Sequence, residues 1–502
     1  MFDEKNILMK FAIISDVHIS YTHYSADDIT DRLVGYASAV ADLRDISGGE
    51  LDAVMMCGDY SSIGCKEQAI TFGQSTQVIF EDIFGKGNVP KLLIGMGNHD
   101  TCWRQKHYYS MRADEWYDIF ENYGLTADFS PKSDRDNGNI RMDVEKNGVK
   151  YSFLYVETED YNPNIFKDET LKWLDDMLSE ITSENPEQYV FVGTHGPIAE
   201  SKIYGTVKEL EPGADWATAK NNIDKVFSKY PQSVVFSGHT HRSAELETTI
   251  MQTNYTAINV PPVLGRDYYD EGEQEFIDGK YASYLDGTYP DHRHGMGIYI
   301  EIDNNGNMRI KRVNFTRNRA QITVKRALEK ANPAVGTWPG EPDTFTYLEI
   351  NNCKVTEDEK PSFFAPEWIL KIPDADRSFL KDYSEARGCV KAPCFPNNGF
   401  IAAKKSENGG VVLEFSAASS ERYILYYKVI IKIENEADRE FRILGNWVDI
   451  KKGAVDGTNH KDAKHFAYEL PPVIKDDDNC SICLTAVDEF GNESEPVVAD
   501  VL

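Results

Sequence analysis

Between residue 10 and about residue 245, short apolar runs alternate with longer amphipathic stretches, the spacing of strands that feed helices. The strand-like runs are residues 10–15, 52–57, 91–96, 151–156, 189–193 and 233–237. Several are continuously apolar rather than alternating, as strands buried on both faces are. Between them, residues 27–43, 67–84, 113–123, 170–181 and 217–227 carry apolar side chains at helical spacing. One such stripe, Leu171, Leu174, Leu178 and Ile181, is explained by packing alone. The pattern predicts an α/β fold for this part of the chain.

Beyond residue 245 the texture turns to β, with runs at 256–260, 296–302 and 308–315. The last two flank Asp303-Asn304-Asn305-Gly306, a hairpin signal. Residues 317–330 have helical character, and the Pro/Gly-rich stretch that follows reads as a linker. The expected organisation is an α/β domain over residues 1–330, a linker over 331–344, and an all-β sandwich over 345–502 with strands near 410–415, 423–433, 441–450 and 481–487. Residues 484–494 (LTAVDEFGNES) resemble the closing hairpin of fibronectin type III-like domains. The aromatic strand 423–427 is expected to serve the core rather than a sugar platform. That domain is expected to contact a protein or a glycan, or to act as a spacer.

A length of 502 residues suits two or three domains. Hydrophobic residues at 41% and charged ones at 27% are ordinary for a globular protein, and no apolar run approaches the ~20 residues of a membrane span. The net charge of −29 argues against general nucleic-acid binding, which needs basic surface. Bound cations can still give an acidic protein a local phosphate site. Asp3 and Glu4 stand where a signal peptide carries positive charge, so the cytoplasm is the default compartment, with an exported parent left open. The eight cysteines are too scattered for a disulfide scaffold, and the lone Cys480–Cys483 CxxC lacks a second half.

The chemistry lies where the runs end. Five of the six early runs leave into metal-ligand residue types: Asp16-Val17-His18, Gly58-Asp59, Gly97-Asn98-His99-Asp100, Thr194-His195-Gly196 and Gly238-His239-Thr240-His241. Ligands of open α/β sheets bind beyond the carboxyl ends of strands, so the placement outweighs any single motif. Mixed imidazole, carboxylate and amide donors suit Zn, Mn or Fe better than Mg or Ca.

DxH, GD, GNH[DE], H and GHxH in this order resemble the calcineurin-like metallophosphoesterase superfamily, over roughly residues 10–315. The resemblance implies a two-layered β-sandwich flanked by helices with two metal ions at the sheet edge. Asp16, His18, Asp59 and His241 would hold one ion, and Asn98, His195 and His239 the other, with Asp59 bridging. His99 would be the general acid and Asp100 its orienting partner, while a hydroxide between the ions attacks phosphorus. The second motif lacks the GDxVDRG extension of protein phosphatases and the third ends in Asp100, so the chain looks closer to bacterial small-molecule phosphodiesterases and phosphatases. Its substrate is expected to be a small phosphomonoester or phosphodiester, a nucleotide or cyclic nucleotide being one option. Tyr60 follows Asp59 directly, unlike the metal-binding tyrosine of purple acid phosphatases.

Arg104, His107 and Arg242 are candidate substrate contacts, each with a solvated loop as the plain alternative. The cluster Asp291-His292-Arg293-His294 is a further candidate for the pocket wall, and the loops 101–129 and 263–294 are expected to set substrate choice. A competing reading from a different class is a non-enzymatic binding or adhesion protein with a structural metal site.

Overall fold

The computed structural model of the protein describes residues 2–19, 26–61, 64–101, 111–158, 166–197, 223–241, 243–252, 254–263, 274–277, 280–283, 295–316, 319, 322–331, 334–336, 345–347, 360–370, 391–406, 410–434, 436–446, 462–470 and 479–502. Strands run in the order β1 (Ile7–Ile14), β2 (Ala53–Cys57), β3 (Lys91–Gly95), β4 (Ile140–Lys146), β5 (Val149–Tyr155), β6 (Val190–Thr194), β7 (Ser233–Ser237), β8 (Ile250–Gln252) and β9 (Thr256–Asn259). Then come β10 (Gln274–Ile277), β11 (Lys280–Ser283), β12 (Met296–Asp303), β13 (Met308–Asn314), β14 (Ala334–Gly336), β15 (Phe345–Tyr347) and β16 (Ser362–Leu370). The C-terminal strands are β17 (Ile401–Lys405), β18 (Val411–Ser416), β19 (Ile424–Ile433), β20 (Arg439–Leu444), β21 (His465–Leu470), β22 (Cys480–Asp488) and β23 (Val497–Asp500). Helices α1 (Ala26–Ile46), α2 (Lys66–Phe84), α3 (Ala113–Glu121), α4 (Asp168–Glu184), α5 (Ile223–Phe227) and α6 (Ile322–Ala331) intervene.

Two six-stranded sheets, β16-β13-β12-β1-β2-β3 and β4-β5-β6-β7-β9-β8, form the first part of the chain. Parallel pairing joins β1, β2 and β3 in one sheet and β5, β6, β7 and β9 in the other. Every residue of β2, β6 and β7 is buried, which is why those runs are continuously apolar. The sheets meet through aromatic rings: Phe11 of β1 lies 5.1 Å from Phe153 of β5 and 4.5 Å from Phe191 of β6, centroid to centroid. Phe153 and Phe191 are themselves 5.0 Å apart. Phe191→Ala is expected to cost about 3–5 kcal/mol, measured by denaturant unfolding, because the hole opens between two sheets that cannot both close on it.

The outer face of the second sheet is covered by α4, whose Leu174, Leu178 and Ile181 are buried against Leu154, Val192 and Val235. Helices α1, α2 and α6 add Val40, Phe72, Phe80, Val324 and Ala327 to the core that spans both sheets. The structure thus bears out a mixed α/β fold in two layers followed by an all-β region.

Strand pairing does not follow the expected division at 331–344. Strand β16, placed by sequence in the C-terminal domain, pairs with β13 and extends the first sheet. Only Trp368 and Leu370 of it are buried, and Pro366 interrupts it, the marks of an edge strand rather than of a sandwich core. In the other direction, β10 pairs with β20, so a hairpin from before the expected linker joins the C-terminal sheet. Within the linker range, 334–336 pair with 345–347, and 337–344 lie outside the described residues.

The C-terminal region packs β17-β18-β21 against a sheet ordered β11-β10-β20-β19-β22-β23. Phe415, Tyr427 and Phe466 fill the space between, with Tyr427 fully buried and its hydroxyl accepting from Ala418 N at 3.2 Å. That strand serves the core, as its pattern predicts. Cys480 and Cys483 both lie on β22, three positions apart, so they face opposite sides of the sheet and share no ligand.

Candidate metal centre

The carboxyl ends of parallel strands from both sheets converge on one place. Asp16 and His18 follow β1, Asp59 follows β2, Asn98 to Asp100 follow β3, His195 follows β6, and His239 and His241 follow β7. Asp16 N donates to Gly58 O (3.0 Å), His18 N to Asp59 O (2.9 Å) and Ile19 N to Tyr60 O (2.7 Å), which zips the first two loops together. Across the sheets, His239 N donates to Asp16 Oδ2 at 3.2 Å. A Cβ on Gly238 would strike Ser15 Oγ and come within 2.7 Å of Asp16 Oδ2, so only glycine permits this approach.

The side chains form three overlapping groups able to hold a cation: Asp16 with His18 and His241; His18 with Asp59 and His99; and Asp59 with His195 and His239. His241 Nε2 is 3.2 Å from Asp16 Oδ1 and 3.1 Å from His18 Nε2. Asp59 Oδ2 stands between the groups, 3.0 Å from His195 Nε2 and 3.6 Å from His18 Nε2. His195 Nδ1 donates to the Cys57 carbonyl at 2.7 Å, which orients the ring with Nε2 facing Asp59. Asn98 Oδ1 is buried with no hydrogen-bond partner, a costly arrangement that a cation would relieve.

Backbone strain marks the same residues. Among the described residues six non-glycines have positive φ, and five of them are Asp16, His18, Asp59, His239 and His241, with φ from 47° to 68°. The sixth, Asn147, sits in an Asn-Gly hairpin turn where such angles are ordinary. Left-handed backbone at bulky or charged residues costs about 1–3 kcal/mol each and persists where function requires it.

The electrostatics are those of a site built for positive charge. Burial opposes ionising Asp59, yet the adjacent His195, His99 and His18 outweigh it and hold that carboxyl below its usual range. Burial likewise opposes protonating His195, but Asp59 and then Asp16 raise it to about 9. His239 goes the other way, down to about 3, through burial and the charge of His195. The donor set, the unpartnered amide oxygen and the anionic field fit divalent metal ions held by mixed nitrogen and oxygen ligands.

Comparison with known proteins agrees. The family model described as "Calcineurin-like phosphoesterase" matches residues 9–243, the stretch from β1 to just past His241. The match supports membership of that superfamily for residues 9–243. No curated protein matches the chain. A match among solved structures is the endo-beta-1,4-mannanase from Thermotoga petrophila, at 11% identity over 98% of each chain, but its TM-score of 0.23 establishes no shared fold. Members of the phosphoesterase family are metal-dependent hydrolases, and this chain carries the corresponding Asp/His clusters.

Asp100, the expected orienting partner of His99, is held by four donors. Its Oδ1 accepts from Tyr60 N (3.0 Å), Ser61 N (2.9 Å) and Ser61 Oγ (3.0 Å), and its Oδ2 accepts from Gly97 N (2.9 Å). The carboxylate is therefore spent on tying the third loop to the second, and the His99 ring is not among its partners. Burial and the nearby Asp59 charge push Asp100 up to about 7 in spite of these donors. Asp100→Ala is expected to destabilise the protein by about 2–4 kcal/mol, because three backbone amides lose their acceptor. Thermal unfolding measures this; unchanged stability with lost turnover would restore the orienting role.

Tyr60 is fully buried, donates its hydroxyl to Met56 O at 2.8 Å and stacks on Phe72 at 4.3 Å, so it is occupied within its own turn. Arg104, His107 and Arg242, and the cluster 291–294, lie outside the described residues. Two buried groups carry no motif that marks them in the sequence. Glu157 lies two residues past β5, the early strand that carries none of the five motifs; burial pushes it up to about 8 against the opposing charge of His195. Arg312, fully buried on β13, donates to three carbonyls of the segment that follows His241. No helix among the described residues is long and apolar enough to cross a membrane.

Proposed function

We propose that the protein hydrolyses a small phosphomonoester or phosphodiester, a nucleotide or cyclic nucleotide among the options, at a centre of two metal ions. The carrying observation is the position of Asp59, whose carboxylate belongs to two of the cation-binding groups at once. Asp16, His18 and His241 would complete one site, and Asn98, His195 and His239 the other, with Mn, Fe or Zn suiting the donors. Bound there, the ions supply charge to the phosphate oxygens and an ionised water near neutral pH. Asp59 stays anionic to join the sites, and the Cys57 carbonyl keeps His195 in the metal-binding tautomer.

His99 is assigned the proton for the leaving alkoxide. Its ring packs edge-on to His18 at 4.8 Å between centroids, and its amide donates to Asp59 Oδ1 at 2.8 Å. Unlike the buried ligand His195, it is half-buried, at the rim where a leaving group would depart. Arg104, His107 and Arg242 remain proposed phosphate contacts. The hairpin at 484–494, turned at Gly491 with φ 82° and held by Asp488 Oδ1 accepting from Phe490 N and Asn492 N, supports a fibronectin type III-like reading of the C-terminal region.

The test is a metal-reconstituted screen of a nitrophenyl monoester, a bis-nitrophenyl diester and a panel of nucleotides. Chelator-sensitive turnover supports the reading, and the ratio of diester to monoester rates assigns the branch. Silence on every substrate with both metals bound would instead favour a binding protein.

A further inference from the structure

His239 and His241 hold left-handed backbone, at φ 68° and 50°. Such a turn keeps its shape only where its surroundings over-determine it. The segment 243–249 that leaves the turn is the place to look for that support. Arg312 donates to the carbonyls of Ala244 (2.8 Å), Glu245 (3.0 Å) and Leu246 (3.1 Å), so one guanidinium holds three consecutive peptides. Its flat face lies 4.3 Å from the Trp368 ring centroid, which closes the charge off from water.

The same segment is then gripped by the C-terminal β region. Thr248 donates its amide to Glu489 Oε2 at 3.1 Å and its hydroxyl to the same oxygen at 3.4 Å. Arg422 Nη1 is 2.7 Å from Glu247 Oε1, and the Tyr423 hydroxyl donates to Glu245 Oε2 at 3.3 Å. Glu489 is 3% exposed, so its carboxylate has exchanged water for this contact, and its own amide is fixed to Tyr423 O at 3.0 Å. A second tie is independent of the first. Strand β10, from the stretch between β9 and β12 expected to shape substrate choice, pairs with β20 of the C-terminal sheet.

We propose that the C-terminal β region is part of the framework of the metal centre, with Glu489 as a positioning residue that holds Thr248 and, through the 243–249 segment, the His239–His241 turn. It does not touch substrate. The proposal rests on the reading of those histidines as metal ligands, and it excludes the alternative of a free spacer. A carboxylate at this remove fixes the direction of two imidazoles rather than their chemistry, so its loss should loosen metal binding before it slows the reaction itself.

The experiment uses Co(II) as the probe, bound to the full chain in the wild type, Glu489→Ala and Glu489→Gln forms. Chelator competition gives affinity, and the visible cobalt bands report ligand geometry, which a general loss of stability does not move. Glu489→Ala is expected to weaken cobalt binding about 10-fold, the scale of outer-shell partners of metal ligands, and to shift the bands. Glu489→Gln, whose amide oxygen still accepts from Thr248, should stay close to wild type. Lys428→Ala, which breaks an exposed ion pair with Glu493 in the same region, should leave both readouts unchanged. Wild-type affinity and bands in a folded Glu489→Ala protein overturn the proposal. Should that variant not fold, Arg422→Gln, at a partly exposed ion pair, takes its place, and wild-type values of both readouts there overturn the proposal equally. A wild-type protein that binds no cobalt overturns the metal reading beneath the proposal, and is told apart by needing no substitution.

Discussion

Asp59→Asn is expected to strip the protein of both metal ions and to lower turnover by more than about 10²-fold, the scale on which even one preorganised electrostatic contact counts. The carboxylate lies 3.0 Å from His195 Nε2 and 3.6 Å from His18 Nε2, so in the proposed centre it would serve both sites. An amide keeps the shape but loses the charge that would hold two mutually repelling cations together. Its Oδ1 also accepts the His99 amide, so the third loop loses an anchor at the same time. Elemental analysis of the purified variant beside a rate measurement checks the expectation. Full metal content with normal turnover would remove Asp59 from the centre.

His99→Ala is expected to behave differently: both ions retained, and turnover on alkyl phosphoesters down ~10²–10⁴-fold, the range for loss of a positioned general acid. Nitrophenyl esters should lose much less, because nitrophenolate departs as a stable anion without a proton. This contrast between leaving groups separates an acid from a ligand. The distinction matters here, since the His99 ring also lies close enough to His18 and Asp59 to bind a cation. Loss of metal in the variant, with equal damage to both ester types, would make His99 a ligand.

Most of the candidate centre is legible in the sequence alone, and for a physical reason. Parallel strands buried on both faces are continuously apolar, so the ends of β1, β2, β3, β6 and β7 stand out, and the glycines and ligand types follow directly. The same logic predicts helices at α1, α2, α3 and α4 with shifts of a few residues at their ends. What escapes is either weakly patterned or non-local. Strand β4 alternates buried Ile140, Met142 and Val144 with polar residues, and its Asn147-Gly148 turn is an available signal for a hairpin to β5. Strand β16 shows mostly exposed side chains and a proline, so nothing in its pattern says which sheet it joins.

The partners of the Asp100 carboxylate are not legible in the sequence, because sequence gives neighbours but not directions. Its partners Tyr60 and Ser61 are about forty positions away. Arg312 and Glu489 lie further still from the segment they hold, 66 and 241 positions from their partners. An isolated Arg in a strand and a Glu in a turn carry no mark of such a contact. Pairing across the expected linker is hidden for the same reason.

The central claim is that seven side chains from two sheets hold a pair of ions on either side of Asp59. Anomalous diffraction from crystals soaked in Mn(II) tests it most directly. The account predicts two peaks about 3.5–4 Å apart flanking the Asp59 carboxylate, one beside Asp16, His18 and His241 and one beside Asn98, His195 and His239. A single peak, or a pair remote from Asp59, would contradict it.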